Sequence, residues 1–165
     1  MEIRALKKTD SKEYLALMLR LDEESEFMMY EPGERKTTAE QMECKIESLD
    51  SSEGIILGAF DSGNLVGFVS LGRGFANRIK HIGYIVIGIV LEASGKGLGT
   101  MLLNSIERWA SEHSIKKLEL SVMVHNEKAH NLYLKSGFVD EGVKRKSIHI
   151  NGKFYDEYYM GKVIP

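Results

Sequence analysis

Residues 81–100 read HIGYIVIGIVLEASGKGLGT. The first eleven are apolar on both faces and rich in β-branched side chains, the pattern of a central strand covered on both sides. They run into three glycines at alternate positions, Gly95, Gly97 and Gly99, with Lys96 among them and Thr100 after them. Beyond the glycines, Leu98, Met101, Leu102, Ser105, Ile106 and Trp109 recur at helical spacing. A buried strand, a glycine turn and an amphipathic helix over 97–113 form most of a β-α-β unit. The strand KKLELSVMV at 116–124 completes it as a right-handed parallel crossover.

Outward from this unit, the chain alternates helical and strand patterns with short turns. MEIRALK at 1–7 predicts a first strand. Thr9 or Asp10 caps a helix with Tyr14, Leu15, Leu17, Met18 and Leu21 on one face. Pro32-Gly33 makes 26–35 a loop. A second helix over 37–52 is capped by Thr37 or Thr38 and buries Met42, Ile46 and Leu49. Strands at 54–60 and 64–74 flank Asp61-Ser62-Gly63, a hairpin signal. After 124, NEKAHNLYLKSG predicts a helix ended by Gly137 in a left-handed turn, with Phe138 packing back on it. The strands at 139–150 and 153–163 flank Asn151-Gly152, the strongest short hairpin signal. The order β-α-α-β-β-β-α-β-α-β-β predicts one α/β domain over 1–165, with a mixed sheet and helices on both faces.

Bulk properties exclude several classes. With 165 residues, 43% hydrophobic and 28% charged, the chain suits one soluble domain. A formal net charge of -2 carries no global basic footprint for nucleic acid. No apolar run approaches a membrane span and no leader-like segment opens the sequence, so a cytoplasmic protein without a membrane partner is expected. Cys44 is the single cysteine, which leaves no internal disulfide and no cysteine metal cluster.

The glycine loop admits three ligands on its face: a nucleoside triphosphate, a dinucleotide and the pyrophosphate of coenzyme A. A Walker loop needs Ser or Thr after its lysine, and Gly97 follows Lys96. The dinucleotide fingerprint needs a third glycine where Thr100 stands, and belongs near the first strand of its fold. The physics of an anion site remains. Orphan N–H groups at a helix start attract anions, and glycines let the backbone approach an oxygen closely. A tight turn needing glycine only for its dihedrals is the plainer alternative, but one glycine suffices for that.

Taken with the downstream VHNEKAHNLYLKSGF, residues 84–138 resemble the GNAT family of acetyl-CoA-dependent N-acetyltransferases. The first family motif, [QR]-x-x-G-x-[GA], is matched by Ser94-Gly95-Lys96-Gly97-Leu98-Gly99, with Ser94 where Gln or Arg is usual. The second, N-x-x-A-x-x-L-Y-x-x-x-G-F, is matched by Asn126, Ala129, Leu132, Tyr133, Gly137 and Phe138. The resemblance implies a mostly antiparallel twisted sheet of about seven strands, with a parallel crossover at the cofactor site. It implies acetyl-CoA as co-substrate and no metal. The pyrophosphate would lie on Gly95, Lys96, Gly97, Leu98, Gly99 and Thr100, and the pantetheine arm would pair with the backbone of Ile87, Gly88 and Ile89, where two strands splay apart.

The same resemblance assigns Tyr133 as the acid beside the coenzyme A sulfur, a role typically worth about 10²–10⁴ in rate. Asn126 reads locally as a helix N-cap, and the resemblance adds a cofactor contact. The general base stays open between Tyr84, His81 and a water relay, while Glu92 beside the glycine loop is poorly placed. Acetyl transfer to a primary amine is implied; a non-catalytic acyl-CoA sensor on the same fold is the alternative.

For the acceptor, residues 22–34 (DEESEFMMYEPGE) combine carboxylates with Phe27, Met28, Met29 and Tyr30, which suits a cationic amine. The segment 141–161 loosely resembles ribosomal-protein alanine and spermidine N-acetyltransferases. That points to a peptide N-terminus, a polyamine or a small amine, with Tyr155, Tyr158 and Tyr159 as candidate wall residues, in a monomer or homodimer.

Overall fold

The computed structural model describes residues 1–49 and 53–165. Its seven strands are β1 (Glu2–Ala5), β2 (Gly54–Asp61), β3 (Asn64–Arg73), β4 (Ile82–Ile89), β5 (Lys117–Met123), β6 (Val139–Ile150) and β7 (Lys153–Val163). They form one sheet in the order β1-β2-β3-β4-β5-β7-β6. Every ladder is antiparallel except β4 with β5. The helices are α1 (Ser11–Glu24), α2 (Ala39–Ser48), α3 (Leu98–Glu112) and α4 (Glu127–Lys135). The predicted order therefore holds. The expected tail of the second helix at 50–52 lies outside the described residues.

Alternation along β4 divides the helices between the faces. A side chain on Gly88 would meet Leu21 of α1 and Phe68, and Tyr14 of α1 packs edge-on against Phe68 at 5.4 Å. Ile89 points the other way, toward Gly99 of α3, which also abuts Leu132 of α4. So α1 packs on one face of the sheet, α3 and α4 on the other. On α1, Tyr14, Leu17, Met18 and Leu21 are buried as their spacing predicts. On α3 the buried face is Leu98, Leu102, Leu103, Ile106 and Ala110; Met101 points out, because the helix turns its stripe by one position toward Leu103.

Caps and turns follow local chemistry, with one exception. Thr38 caps α2 in a capping box with Gln41. Asn151-Gly152 turns with φ of 48° and 79°, and Ser62-Gly63 with 50° and 87°, as two-residue hairpins require. Gly137 ends α4 at φ 91°; its N–H and that of Phe138 bond the carbonyls of Leu134 and Tyr133 in a Schellman motif. Asp10 is the exception. It stands at the start of α1, but its carboxylate takes Arg4 at 2.8 and 2.9 Å and the Lys7 N–H at 2.7 Å instead of capping the helix. Arg4 holds the Asp10 pKa below its ordinary value.

The central strand corrects one expectation. β4 is not covered on both sides: Tyr84 and Val86 are 41% and 42% exposed. Their apolar face borders a cleft, and a strand that lines a cleft carries the same side chains as one that lines a core.

Candidate active site

The cleft arises where two strands part. The parallel ladder of β4 and β5 holds only three pairs, Ile82 with Lys117, Gly83 with Leu118 and Tyr84 with Glu119. Both strands run on, β4 paired to β3 and β5 to β7. Beyond Tyr84 their facing edges carry unpaired N–H and C=O groups, a ready template for an extended ligand. Between them and the α1–α2 connection opens a cavity of about 1110 Å³.

The glycine loop closes one end. Gly95 and Gly97 have φ of 76° and 80°, with open space where a side chain would begin. A side chain on Gly99 would lie 2.7 Å from Leu132, so this glycine lets α3 and α4 meet. Each of the three thus has a local structural reason, which the alternation alone did not reveal. What marks an anion site is the backbone. Among the described residues, no N–H from Gly95 through Thr100 donates within the protein, and the first bond of the turn is Met101 N–H to Gly97 at 3.2 Å. Six consecutive free donors at a helix start hold partial positive charge against the cleft. Entry to the loop is fixed by α1: Glu24 accepts the Leu91 N–H at 2.9 Å, and Arg20 bridges Glu24 and Glu92. That pairing commits Glu92 to Arg20 and holds its pKa down.

Most residues singled out from sequence meet here. Ile87, Gly88, Ile89, Gly95, Gly97, Leu98, Gly99, Thr100, Asn126 and Tyr133 all line the cavity. Lys96 does not; it is exposed outside the lining. Another cation stands at the loop instead, Lys128 of α4, whose Nζ lies 3.3 Å from the Ser94 hydroxyl. Its place at the second position of α4 was the available signal. The Asn126 side chain accepts the Ala129 N–H at 3.2 Å, so the N-cap is real, and the residue also faces the cleft.

Tyr133 is held from three sides. The Schellman motif fixes its carbonyl, Phe138 packs edge-on to its ring at 5.9 Å, and the residue is 7% exposed. Its hydroxyl has no hydrogen-bond partner among the described residues. Burial, with a smaller contribution from Tyr84, pushes its pKa well above the ordinary value. The phenol keeps its proton at neutral pH and has it free to donate. Of the candidate bases, Tyr84 lines the cleft and His81 does not. The His81 backbone carbonyl instead anchors the Lys116 and Lys117 N–H groups.

The opposite wall is assembled from distant segments. The 23–30 stretch lines it along its whole length. Arg35 and Asp22, with side chains 7% and 3% exposed, form a bidentate pair at 2.6 and 3.0 Å that ties this connection to α1. From the hairpin come Ile148 and Glu157, not the expected tyrosines. Tyr155 packs at a tilt against His125 at 4.5 Å, Tyr158 stacks on His130 at 4.3 Å, and Tyr159 donates to Glu119. Strand alternation put three tyrosines in a short strand but did not say which side faces a ligand. The Glu157 carboxylate has no partner among the described residues. Among the described residues, no group of three or more His, Cys, Asp or Glu side chains could hold a metal, and no helix is long and apolar enough to cross a membrane.

Residues 16–138 match the model of the Acetyltransferase (GNAT) family, and the chain belongs to that family. A GNAT-family acetyltransferase from Streptococcus pneumoniae shares its structure with a TM-score of 0.95 and 34% identity, covering 99% of both chains. The structure of yncA from Salmonella typhimurium, solved with its cofactor acetyl-CoA, has the same fold: TM-score 0.90, 16% identity, over 100% of this chain and 94% of that one. The L-amino acid N-acetyltransferase AaaT of Escherichia coli is 29% identical over 102 residues, 61% of this chain and 63% of its own. The chain spans less than two thirds of the length of this and the first curated relatives it matches, 64% and 57% for two from Bacillus subtilis.

Proposed function

We propose that this protein transfers the acetyl group of acetyl-CoA directly to a primary amine. The observation that carries the reading is the run of six free N–H groups, Gly95 to Thr100, at one end of a cleft whose other lining holds the unpartnered Tyr133 hydroxyl. The pyrophosphate sits on the free donors, with Lys128 beside it. The pantetheine arm pairs with the open β4 edge at Ile87, Gly88 and Ile89, which brings the thioester to the point where β4 and β5 part. A β4 N–H on that edge faces the thioester carbonyl and stabilises the oxyanion, a donor fixed before reaction.

The amine nitrogen attacks the acetyl carbon. The C–N bond forms, the C–S bond breaks, and the departing sulfur takes its proton from Tyr133. The proton lost by the amine leaves through water or through Tyr84, which also lines the cleft. Cys44 is exposed on α2 and outside the cleft, so direct transfer fits better than a covalent relay. A peptide N-terminus, a polyamine and a small amine are the acceptor classes to screen; the likeness to AaaT adds amino acids.

Two measurements test the reading. Acetyl-CoA at 100 times its Kd raises unfolding stability by about 2.7 kcal/mol, whereas ATP and NAD leave the melting temperature in place. Free thiol is released steadily when acetyl-CoA is mixed with an accepting amine. A melt unmoved by acetyl-CoA sinks the proposal; binding without thiol release across the amine classes leaves an acyl-CoA sensor.

A further inference from the structure

Among the described residues, three buried side-chain atoms have no hydrogen-bond partner: the Tyr14 hydroxyl, the Arg73 Nε and the Ser121 hydroxyl. Tyr14 and Arg73 stand outside the cleft lining, whereas Ser121 belongs to it. The strand register explains its place. The β4–β5 ladder pairs Tyr84 with Glu119 and stops, so Ser121 stands across the gap from Val86. Alternation puts Ser121 on the same face as Glu119 and Tyr84, while Leu118, Leu120 and Val122 turn the other way, into the core. Ser121 thus lies where the two strands begin to part, on the face that α1 packs against. Tyr133 comes from α4, on the opposite face.

The polar neighbours of Ser121 are committed elsewhere. Tyr159 is its register partner on β7, yet that hydroxyl donates to Glu119. Burial, and then the bond to Glu119, push the Tyr159 pKa up, so the phenol keeps the proton it donates there. Glu119 also takes Lys117 at 3.2 Å, and Lys117 reaches on to Glu141 at 2.6 Å. On the β4 side, the Tyr84 hydroxyl lines the cleft and has no partner among the described residues. A buried hydroxyl left unpaired loses its hydration with nothing in return. The fold draws no stability from this one, and an atom bound in the cleft would satisfy it.

We propose that the Ser121 hydroxyl receives the acceptor amine: its Oγ accepts an N–H of the attacking nitrogen and aims the lone pair at the acetyl carbon. The nitrogen then approaches the gap from the α1 face, while Tyr133 donates to the sulfur from the α4 face. Nucleophile and acid stand on opposite sides of the thioester. The nitrogen gains positive charge as the C–N bond forms, so the bond to Ser121 strengthens in the transition state. Ser121 forms no covalent bond and keeps its own proton. This rests on the acetyltransferase reading and adds the residue that orients the acceptor.

The experiment compares the wild type with Ser121→Ala and Ser121→Thr. Thiol release at saturating acetyl-CoA gives kcat/KM for whichever of alanine amide, spermidine, ethanolamine and L-methionine the wild type uses best. Melting without ligand and calorimetric titration with acetyl-CoA accompany it. Ser121→Ala lowers kcat/KM for the amine about ten- to a hundredfold, and its acetyl-CoA affinity stays within a few-fold. Its ligand-free melt is no lower than the wild type's, because the lost hydroxyl had no partner in the fold; a structural hydroxyl would lower it. Ser121→Thr keeps the hydroxyl on a β-branched side chain that suits a strand, and its turnover stays within a few-fold of the wild type. Wild-type turnover in Ser121→Ala overturns the inference. So does a loss shared equally by acetyl-CoA binding, a clearly lower ligand-free melt, or a Thr variant that binds acetyl-CoA normally but is as slow as Ala. In each of these cases wild-type thiol release leaves the acetyltransferase reading standing. If the wild type releases no thiol with any of the four amines, that reading falls and the role of Ser121 falls with it.

Discussion

One wall of the cleft comes from residues between Tyr84 and Tyr133, in a stretch whose turns are dictated locally: positive φ at Gly95, Gly97 and Gly137, an N-cap at Asn126, a Schellman motif behind Tyr133. Its other wall comes from the α1–α2 connection and the β6–β7 hairpin, segments at opposite ends of the chain. That wall is held by tertiary contacts. The Asp22–Arg35 pair is one, and His125 is another, ringed by Phe27 at 5.1 Å, Tyr155 at 4.5 Å and Glu26 at 3.8 Å. In the proposed function the first wall holds the cofactor and the second the acceptor. On that reading the second wall can change its side chains while the first keeps its local constraints, so that one platform would serve different acceptors.

Substitutions on the two walls should therefore separate cleanly. The largest effect is expected from Tyr133→Phe, which removes the proton donor and leaves the packing against Phe138. Turnover falls by about 10²–10⁴ while acetyl-CoA affinity stays within a few-fold, checked by thiol release and calorimetric titration. Unchanged turnover would remove the acid role. Next comes Gly97→Trp, which forces a bulky side chain at φ 80° into the space beside the free N–H groups. Its acetyl-CoA affinity drops about a hundredfold or more, and the thermal shift vanishes. If this variant binds coenzyme A normally, the pyrophosphate lies elsewhere.

On the second wall, Asp22→Ala leaves the buried Arg35 without its partner and costs about 3 kcal/mol, read by urea unfolding. Acceptor KM rises in this variant, and acetyl-CoA affinity changes much less. An equal loss for both ligands would mean the walls are one cooperative unit, and the contrast drawn above would fail. The smallest effect belongs to Asn126→Ala. Loss of the cap costs about 1 kcal/mol of stability. A drop in acetyl-CoA affinity in Asn126→Ala that Asn126→Asp does not restore would show that the amide also touches the cofactor, since Asp caps as well as Asn.

The wall that carries the glycine loop was legible because its constraints are local. A left-handed glycine, a capping asparagine or a β-branched strand must be written at its own position, so SGKGLGT and NEKAHNLYLKSGF named their residues before any contact was known. Legibility failed where one pattern has two causes. HIGYIVIGIVL read as a strand buried on both sides, yet Tyr84 and Val86 border the cleft. Lys96 stood in the glycine motif, yet Lys128 from the next helix is the cation at the cleft.

By itself the sequence determined the order of elements, the hairpin and cap positions, the family and most residues of the cleft wall that carries the glycine loop. Each of these is a short-range property of backbone dihedrals and side-chain periodicity. Only the tertiary structure decided that the β4–β5 ladder stops after Tyr84, that Asp22 is spent on Arg35, and that the Tyr14 hydroxyl is buried without a partner. Those facts depend on which groups remain unpaired once the chain has folded. Pairing between residues far apart in sequence leaves no periodic mark in the sequence.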